Sequence, residues 1–251
     1  MSRPIVNGKY KIIKVLSNDW QYEASVCHNV TLKNDYAMNV VNIYKGKEAI
    51  KSFLPLYFGM TADTCREFEE IICSEGTVSA VFEYHSGEEV ADFFGKHPTE
   101  AYDEKLGYAE LLLRSALELD MVDDRIAACV LKQGVVLDSR SRRFYFNYII
   151  SPDVEAEPGF RSKRLGEMMT AIFRPNRYLP VEIEDFCQEL CNGQYGSCVE
   201  IYSTWKQVRE AAEATRKQYL KESFLKYLIR RSKRKREQMR LKKKRAQEQR
   251  D

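Results

Sequence analysis

The N-terminal part of the chain alternates short apolar runs with polar triplets, a pattern typical of successive β-strands. Residues 10–16 and 22–32 are predicted strands, joined by the polar turn Ser17-Asn18-Asp19. The turn residues Lys33-Asn34-Asp35 precede a third predicted strand, Tyr36-Ala37-Met38-Asn39-Val40-Val41. This strand is apolar enough to be buried, so the amide of its central polar residue, Asn39, requires a hydrogen-bond partner.

The apolar period changes after Gly46. Five apolar residues then recur at helical spacing and predict an amphipathic helix: Ala49, Ile50, Phe53, Leu54 and Tyr57. Residues 66–73 and 77–84 are predicted to be two further strands, which turn at Ser74-Glu75-Gly76. The predicted order is therefore three strands, one helix and two strands.

The chain becomes mainly helical after about residue 90. Helices are predicted at 103–119, 162–173, 180–191 and 197–213. Asp123-Asp124 follows the first of these helices and is predicted to form a turn or a cap. Val135-Val136-Leu137-Asp138 and residues 143–148 are predicted to form a short hairpin. From Trp205 onward neither glycine nor proline occurs, which favours one long helix.

Charge divides the 251-residue chain into two unequal parts. Residues 226–251 hold thirteen Lys/Arg against three Asp/Glu, a net charge of +10. The preceding 225 residues hold 27 basic and 34 acidic residues, a net charge of −7. Such a separation is typical of a folded domain with an interaction tail. The candidate interaction residues are Arg230, Arg231, Lys233, Arg234, Lys235, Arg236, Lys242, Lys243, Lys244 and Arg245.

Several segments, in chain order, resemble the motifs of protein kinases. Residues 10–16 resemble the first strand of that family and residues 36–41 the third. Val81-Phe82-Glu83-Tyr84-His85-Ser86-Gly87 resembles the fifth strand and hinge, and residues 131–138 resemble the catalytic loop, one residue short. Phe146-Asn147-Tyr148 stands where D-F-G is expected, and residues 195–202 resemble a segment near the kinase C-terminus.

The resemblance implies an α+β, protein kinase-like fold of two lobes. Residues 1–86 would form a small five-stranded antiparallel N-lobe with one helix. Residues 87–213 would form a reduced, mainly helical C-lobe, and residues 214–251 a long basic C-terminal helix or tail.

The positions that carry kinase chemistry are altered. The lysine that pairs the ATP phosphates aligns with Asn39, and the aspartate that accepts the substrate proton aligns with Val130. The two metal-binding positions align with Gly134 and Asn147. No glycine occurs between Gly8 and Gly46, so large side chains, including Trp20, are expected to fill the phosphate loop. The resemblance therefore implies no catalytic residue, no cofactor site and no metal site.

The sequence thus favours a catalytically inactive, bacterial-looking pseudokinase that acts as a protein-interaction, scaffold or regulatory module for an unidentified protein partner. It is similar in this respect to the pseudokinase-like cytoplasmic component of Gram-positive type VII secretion systems. One alternative is a divergent Ser/Thr protein kinase that binds ATP and uses displaced catalytic residues. Another is that the tail binds nucleic acid or an anionic membrane surface.

Compartment is predicted from what the sequence lacks. No run of eighteen apolar residues occurs, so no transmembrane span is expected, and the N-terminus shows no apolar secretory core. The seven cysteines follow no regular spacing, and Cys187, Cys191 and Cys198 are interpreted as core thiols rather than metal ligands. The prediction is a cytoplasmic protein, peripheral to the inner face of the membrane if the tail binds lipid.

Overall fold

The computed structural model describes residues 5–32, 37–74, 76–97, 101–174 and 179–219, together with single positions between 225 and 240. The strands are β1 (Ile5–Val6), β2 (Tyr10–Asn18), β3 (Tyr22–Asn29), β4 (Met38–Lys45), β5 (Phe68–Ser74), β6 (Thr77–Glu83), β7 (Glu88–Glu89), β8 (Val135–Asp138) and β9 (Arg143–Phe146). The helices are α1 (Lys47–Tyr57), α2 (Val90–Lys96), α3 (Tyr102–Ser115), α4 (Asp124–Gln133), α5 (Phe160–Phe173), α6 (Val181–Cys191) and α7 (Cys198–Tyr219), with a 3₁₀ helix at Ala116–Asp120.

The N-terminal half is an antiparallel sheet with strand order β1-β2-β3-β4-β6-β5. The sheet has six strands where five were predicted, because the short strand β1 pairs with the first two residues of β2. Helix α1 packs on the inner face of the sheet, where the ring of Phe53 stacks on that of Tyr44. This order of strands and one helix agrees with the sequence pattern.

The helical half continues the same apolar core. Buried side chains from the inner face of the sheet belong to one cluster with those of α3, α5, α6 and α7. Trp205 of α7 is fully buried between the rings of Phe173 and Phe186. Its indole Nε1 donates to a carboxylate oxygen of Glu110 at 2.8 Å, so the polar atom of this large side chain has a partner.

Residues 131–138, which resemble the catalytic loop in sequence, divide between two elements: residues 131–133 end helix α4, and Val135–Asp138 is strand β8. The side chain of Asp123 accepts a hydrogen bond from the backbone N–H of Arg125 at 2.8 Å, which caps the helix as expected for this residue. The apolar residues from Ile126 to Leu131 are buried along the helix. Val130 is therefore a core residue, and only Gly134 separates the helix from strand β8.

The basic tail is described only in part. After α7, the described positions are helical and exposed: Leu225, Lys226, Leu228, Ile229, Ser232, Lys233, Arg236 and Arg240. The other tail residues predicted to interact lie outside the described residues: Arg230, Arg231, Arg234, Lys235, Lys242, Lys243, Lys244 and Arg245. In the part of the chain that the structure describes, no helix has the length and apolar character needed to cross a membrane.

The two tryptophans provide a test of the core. We expect Trp205→Ala to lower the free energy of unfolding by about 3–5 kcal/mol, because it removes a buried ring and its hydrogen bond. Trp20→Ala is the matched control: Trp20 is 82% exposed, so its loss should change stability by less than about 0.5 kcal/mol. Urea denaturation followed by circular dichroism measures both. Equal effects would contradict the packing described above.

Candidate functional site

Strand β4 carries two asparagines on opposite faces of the sheet, because side chains alternate along a strand. Asn39 pairs with Cys27 and Glu83 on the outer face. Asn42 lies on the inner face, directed toward the helical half. A lysine that pairs phosphates between the lobes would have to share the face of Asn42. Asn39, which aligns with that lysine in sequence, lies on the opposite face of the strand.

Asn42 joins the sheet to the chain that follows β9. Its Nδ2 donates to the carbonyl oxygen of Tyr148 at 2.8 Å, and its Oδ1 accepts from the backbone N–H of Ile150 at 2.9 Å. The hydroxyl of Tyr22 also donates to this Oδ1, at 2.8 Å. Asn42 is fully buried, so these bonds replace those it would make with water.

Asn147 occupies the position that resembles the metal-binding aspartate, but its side chain bonds the hinge-like segment, residues 84–87. Its Oδ1 accepts from the backbone N–H of His85 at 2.8 Å, and its Nδ2 donates to the carbonyl oxygen of the same residue at 2.9 Å. The carboxamide thereby pairs with both the backbone N–H and the backbone C=O of His85. No oxygen of this side chain remains directed toward a site between the lobes.

Gly134 supports this arrangement by allowing a close approach of the backbone. Its carbonyl oxygen accepts from the backbone N–H of Asn147 at 2.9 Å. A Cβ atom at Gly134 would lie 2.1 Å from the carbonyl oxygen of Asn147, which is far inside van der Waals contact. The glycine is thus required by packing against Asn147, and it takes the place that was aligned with a metal-binding residue.

Aromatic side chains fill the space between the sheet and residues 147–150. Phe82 stacks on Tyr148 with ring centroids 4.9 Å apart, and both are buried. The hydroxyl of Tyr44 donates to the carbonyl oxygen of Ile150 at 2.9 Å and lies 2.5 Å from the hydroxyl of Tyr57. Burial raises the pKa of Tyr44 and of Tyr148, so both phenols are neutral at pH 7.

The turn between β2 and β3 stands where a kinase has its glycine-rich loop. The Oδ1 of Asp19 accepts from the backbone N–H groups of Gln21 and Tyr22 at 2.8 and 2.7 Å, which fixes a tight turn. Tyr22 points inward and is buried, as expected for a side chain that fills the loop. Trp20 does not fill it, because its side chain is exposed at the tip of the turn.

A residual cavity of about 440 Å³ remains on the outer side of the hinge-like segment. Three carboxylates line it, those of Glu69, Glu83 and Asp138, and no lysine or arginine does so among the described residues. The imidazole of His85 also lines it and stacks on the ring of Tyr145, with centroids 4.1 Å apart. Burial lowers the pKa of His85, so at pH 7 the imidazole adds no positive charge.

A larger cavity, about 680 Å³, lies on the helical half between α4 and α5. It is lined by side chains of both signs, including Lys132, Asp153, Lys163 and Arg164. Arg164 pairs with Glu167 at 2.8 Å. This cavity lies outside the region between sheet and helices, and its mixed charge points to no single class of ligand.

The cysteines that were interpreted as core thiols differ in exposure. Cys187 and Cys198 are buried, and burial raises the pKa of the Cys187 thiol to about 12. Cys191 is exposed on α6. The first two therefore agree with the prediction of core thiols, and the third does not.

Comparison with known proteins supports the fold. No protein-family model and no curated protein matches the sequence. The kinase domain of PknI from Mycobacterium tuberculosis is similar in structure, with a TM-score of 0.54 and 12% sequence identity, and the match covers 83% of this chain and 99% of that domain. Together with the sheet, the hinge-like segment and the helical half, this similarity defines a protein kinase-like fold.

The residues that sequence reasoning missed are Asn42 and Tyr148. Both contribute to the junction between sheet and helices, yet neither stands at a position with a chemical role in the family. The alternation of strand β4 was the available signal, because it separates Met38, Val40 and Asn42 from Asn39 and Val41. The alternation by itself does not identify the inner face, because the apolar run makes either face suitable for burial.

The two asparagines of β4 allow a matched test of the junction. We expect Asn42→Leu to lower the free energy of unfolding by about 3 kcal/mol or more, because it leaves buried groups of Tyr22, Tyr148 and Ile150 without partners. Asn39→Leu should change stability by less than about 1 kcal/mol, since the Oδ1 of Asn39 has no partner to lose. Chemical denaturation of both variants measures these changes in the free energy of unfolding. A larger loss of stability for Asn39→Leu would refute the placement of Asn42 on the inner face of the sheet.

Proposed function

We propose that this kinase-like domain transfers no phosphate and acts as a protein-interaction, scaffold or regulatory module. The observation that carries the proposal is the pairing of the Asn147 carboxamide with the backbone of His85. A base that bound at the hinge-like segment would compete with this pairing. It would also have to displace an amide that is 2% exposed and held by its own backbone against Gly134.

The charges around the hinge-like segment support the same proposal. Phosphoryl transfer requires cations, from lysine and Mg²⁺, that neutralise the phosphates and the developing charge. The residual cavity offers Glu69, Glu83 and Asp138 instead. A nucleotide polyphosphate placed there would meet charges of its own sign, which disfavours its binding.

The position of helix α4 is the third support. In the family, the residue that accepts the substrate proton projects from a loop before the two short strands. Here that interval is helical up to Gln133 and its side chains from Ile126 to Leu131 are buried. None of them can reach a substrate hydroxyl from the core. A divergent kinase would therefore have to recruit a base from another element.

Titration with Mg·ATP tests the proposal directly. We expect isothermal titration calorimetry to show no binding up to about 1 mM nucleotide and no rise in the melting temperature. Incubation with radiolabelled ATP and generic protein substrates should give no labelled product, with an active protein kinase as the positive control. Micromolar binding of Mg·ATP would contradict the expectation that the hinge-like segment is closed to nucleotide, and reproducible phosphorylation would overturn the proposal that the domain transfers no phosphate.

The interaction role requires a separate test. Co-purification from the native host, with the full chain as bait, is expected to recover a specific protein partner. A bait in which the basic residues from Arg230 to Arg236 are changed to Gln shows whether the tail or the folded domain makes the contact. Failure of both baits to retain any partner above background would speak against the scaffold role.

A second candidate function is binding of the tail to an anionic membrane surface. Three apolar side chains, those of Leu225, Leu228 and Ile229, are exposed at described helical positions. They directly precede the basic cluster. An amphipathic helix that carries both features can insert apolar residues at a lipid interface while its cations meet anionic headgroups. Nucleic acid would use the cations alone, so the exposed apolar residues favour lipid.

Vesicle sedimentation distinguishes the two ligands of the tail. We expect the full chain to bind vesicles that contain anionic phosphatidylglycerol and not vesicles of phosphatidylcholine alone. The triple change of Leu225, Leu228 and Ile229 to Gln should weaken this binding at least tenfold, because it removes the apolar contact. Binding to a DNA duplex serves as the comparison, and an equal loss there, or no loss on vesicles, would exclude the lipid assignment.

A further inference from the structure

We propose that Ser232 is a phosphorylation site whose modification releases the tail from an anionic membrane surface. This switch rests on the second candidate function, the binding of the tail to such a surface, and adds its regulation. The modifying enzyme is a separate protein kinase that recognises arginine side chains on the N-terminal side of the acceptor serine. Three features of the tail support the site.

The first feature is the sequence around the serine. Ser232 is the only residue with a hydroxyl group between residues 228 and 251. Arg230 and Arg231 directly precede it. The serine itself is exposed at a described helical position, so a modifying enzyme has access to it. Carboxylates in the peptide groove of a kinase pair with such guanidinium groups by charge-assisted hydrogen bonds. The tail therefore presents an acceptor hydroxyl together with the charge by which a kinase recognises it.

The second feature is the place of Ser232 on the helix. Residues three and four apart lie on the same face of a helix, and Ser232 is four residues from Leu228 and three from Ile229. Leu225 precedes Ser232 by seven residues, which is about two turns along the same face. All four residues are helical and exposed. The serine thus belongs to the face that we propose inserts into lipid.

The third feature is the contrast between the two chemical states of this position. A serine hydroxyl is small and uncharged, so it is compatible with a helix face at a membrane interface. Phosphoserine carries a charge of about −1.5 to −2 at pH 7. Next to Leu228 and Ile229 that charge would lose water on insertion and meet headgroups of its own sign. It also lies one turn before Arg236, whose cation it partly neutralises.

The modification is a phosphoryl transfer from Mg·ATP. The Oγ atom of Ser232 forms a bond to the γ-phosphorus, the bond from that phosphorus to the β,γ-bridging oxygen breaks, and ADP leaves. A carboxylate of the modifying kinase takes the hydroxyl proton. Because we propose that this chain transfers no phosphate, a second protein supplies the catalytic groups. Hydrolysis of the phosphoserine by a phosphatase restores the hydroxyl and with it the membrane-binding form.

Vesicle sedimentation with the full chain tests the switch. Phosphoserine is incorporated at position 232 during expression, and the vesicles contain phosphatidylglycerol and phosphatidylcholine at about 0.15 M salt. We expect the phosphorylated chain to bind about thirtyfold more weakly, or weaker still, because it gains nearly two negative charges at an anionic surface. Treatment with a phosphatase should restore the affinity of the unmodified chain.

Two substitutions separate the position of the charge from its amount. Ser232→Glu and Lys226→Gln each lower the net charge of the tail by one, and both residues are exposed on the helix. Lys226 lies about 100° around the helix from Leu225, so its replacement puts no charge into the apolar face. We expect Lys226→Gln to weaken vesicle binding about fivefold. Ser232→Glu should weaken it about 25-fold or more, because its carboxylate must also lose water on insertion.

The neutral variant Ser232→Ala completes the set and should bind vesicles as tightly as the unmodified chain. Equal losses for Ser232→Glu and Lys226→Gln would show that only net charge matters and would overturn the role of this position. A large loss for Ser232→Ala would also overturn it, because the hydroxyl itself would then be required for binding.

Mass spectrometry of the chain from its native host decides whether the site is used. A glutamate-specific protease is required, because trypsin would cut on both sides of Ser232. We expect phosphate on Ser232, with a larger phosphorylated fraction in the supernatant than in the membrane pellet. Absence of phosphate at Ser232 from both fractions would overturn the proposal.

The outcomes distinguish failure of the switch from failure of the functions proposed above. If the unmodified chain does not bind the vesicles, membrane binding by the tail fails and the switch fails with it. If it binds and phosphoserine leaves the affinity unchanged, only the switch fails. Labelling of Ser232 when the purified chain is incubated alone with Mg·ATP would instead overturn the proposal that this domain transfers no phosphate.

Discussion

The fold depends on one short segment, residues 147–150, which is bound on both sides by buried amide hydrogen bonds. Asn42 of the sheet holds the backbone of Tyr148 and Ile150, and the side chain of Asn147 holds the backbone of His85. Each bond joins groups that are distant in sequence; the bonds of Asn42 are buried, and those between Asn147 and His85 are partly buried. Because a buried polar group without a partner costs about 1–3 kcal/mol, these bonds act together and fix the sheet against the helices.

This junction explains why the region between the two halves differs from an open nucleotide site. The rings of Tyr22, Phe82 and Tyr148 occupy the inner space, and the backbone N–H and C=O of His85 in the hinge-like segment are paired with Asn147. A binding cleft must expose polar groups and leave volume unfilled, and both lower stability. In this chain the same positions contribute to the continuous core. The proposed loss of phosphate transfer and the packing of the junction are thus consistent with each other.

The second feature of the molecule is the separation of its negative and positive charges. Negative groups line the residual cavity beside the hinge-like segment, whereas positive groups concentrate in the tail after α7. Anions such as phosphate are therefore disfavoured at the cavity, whereas the charge of the tail suits an anionic or acidic surface.

Local apolar periods and turn residues in the sequence predicted three strands, one helix and two strands for the N-terminal half, and a turn or cap at Asp123-Asp124. The kinase-like class of fold was implied instead by the resemblance of motifs in chain order. The sequence does not identify the inner face of β4. It therefore pointed to Asn39, whereas the structure places Asn42 at the junction between sheet and helices. The sequence analysis also did not predict helix α4, since the resemblance of residues 131–138 to a catalytic loop carries no helical period. Only the tertiary structure decided which face of β4 is turned to the core and that Val130 and Asn147 are buried. Both depend on contacts with residues far away in sequence.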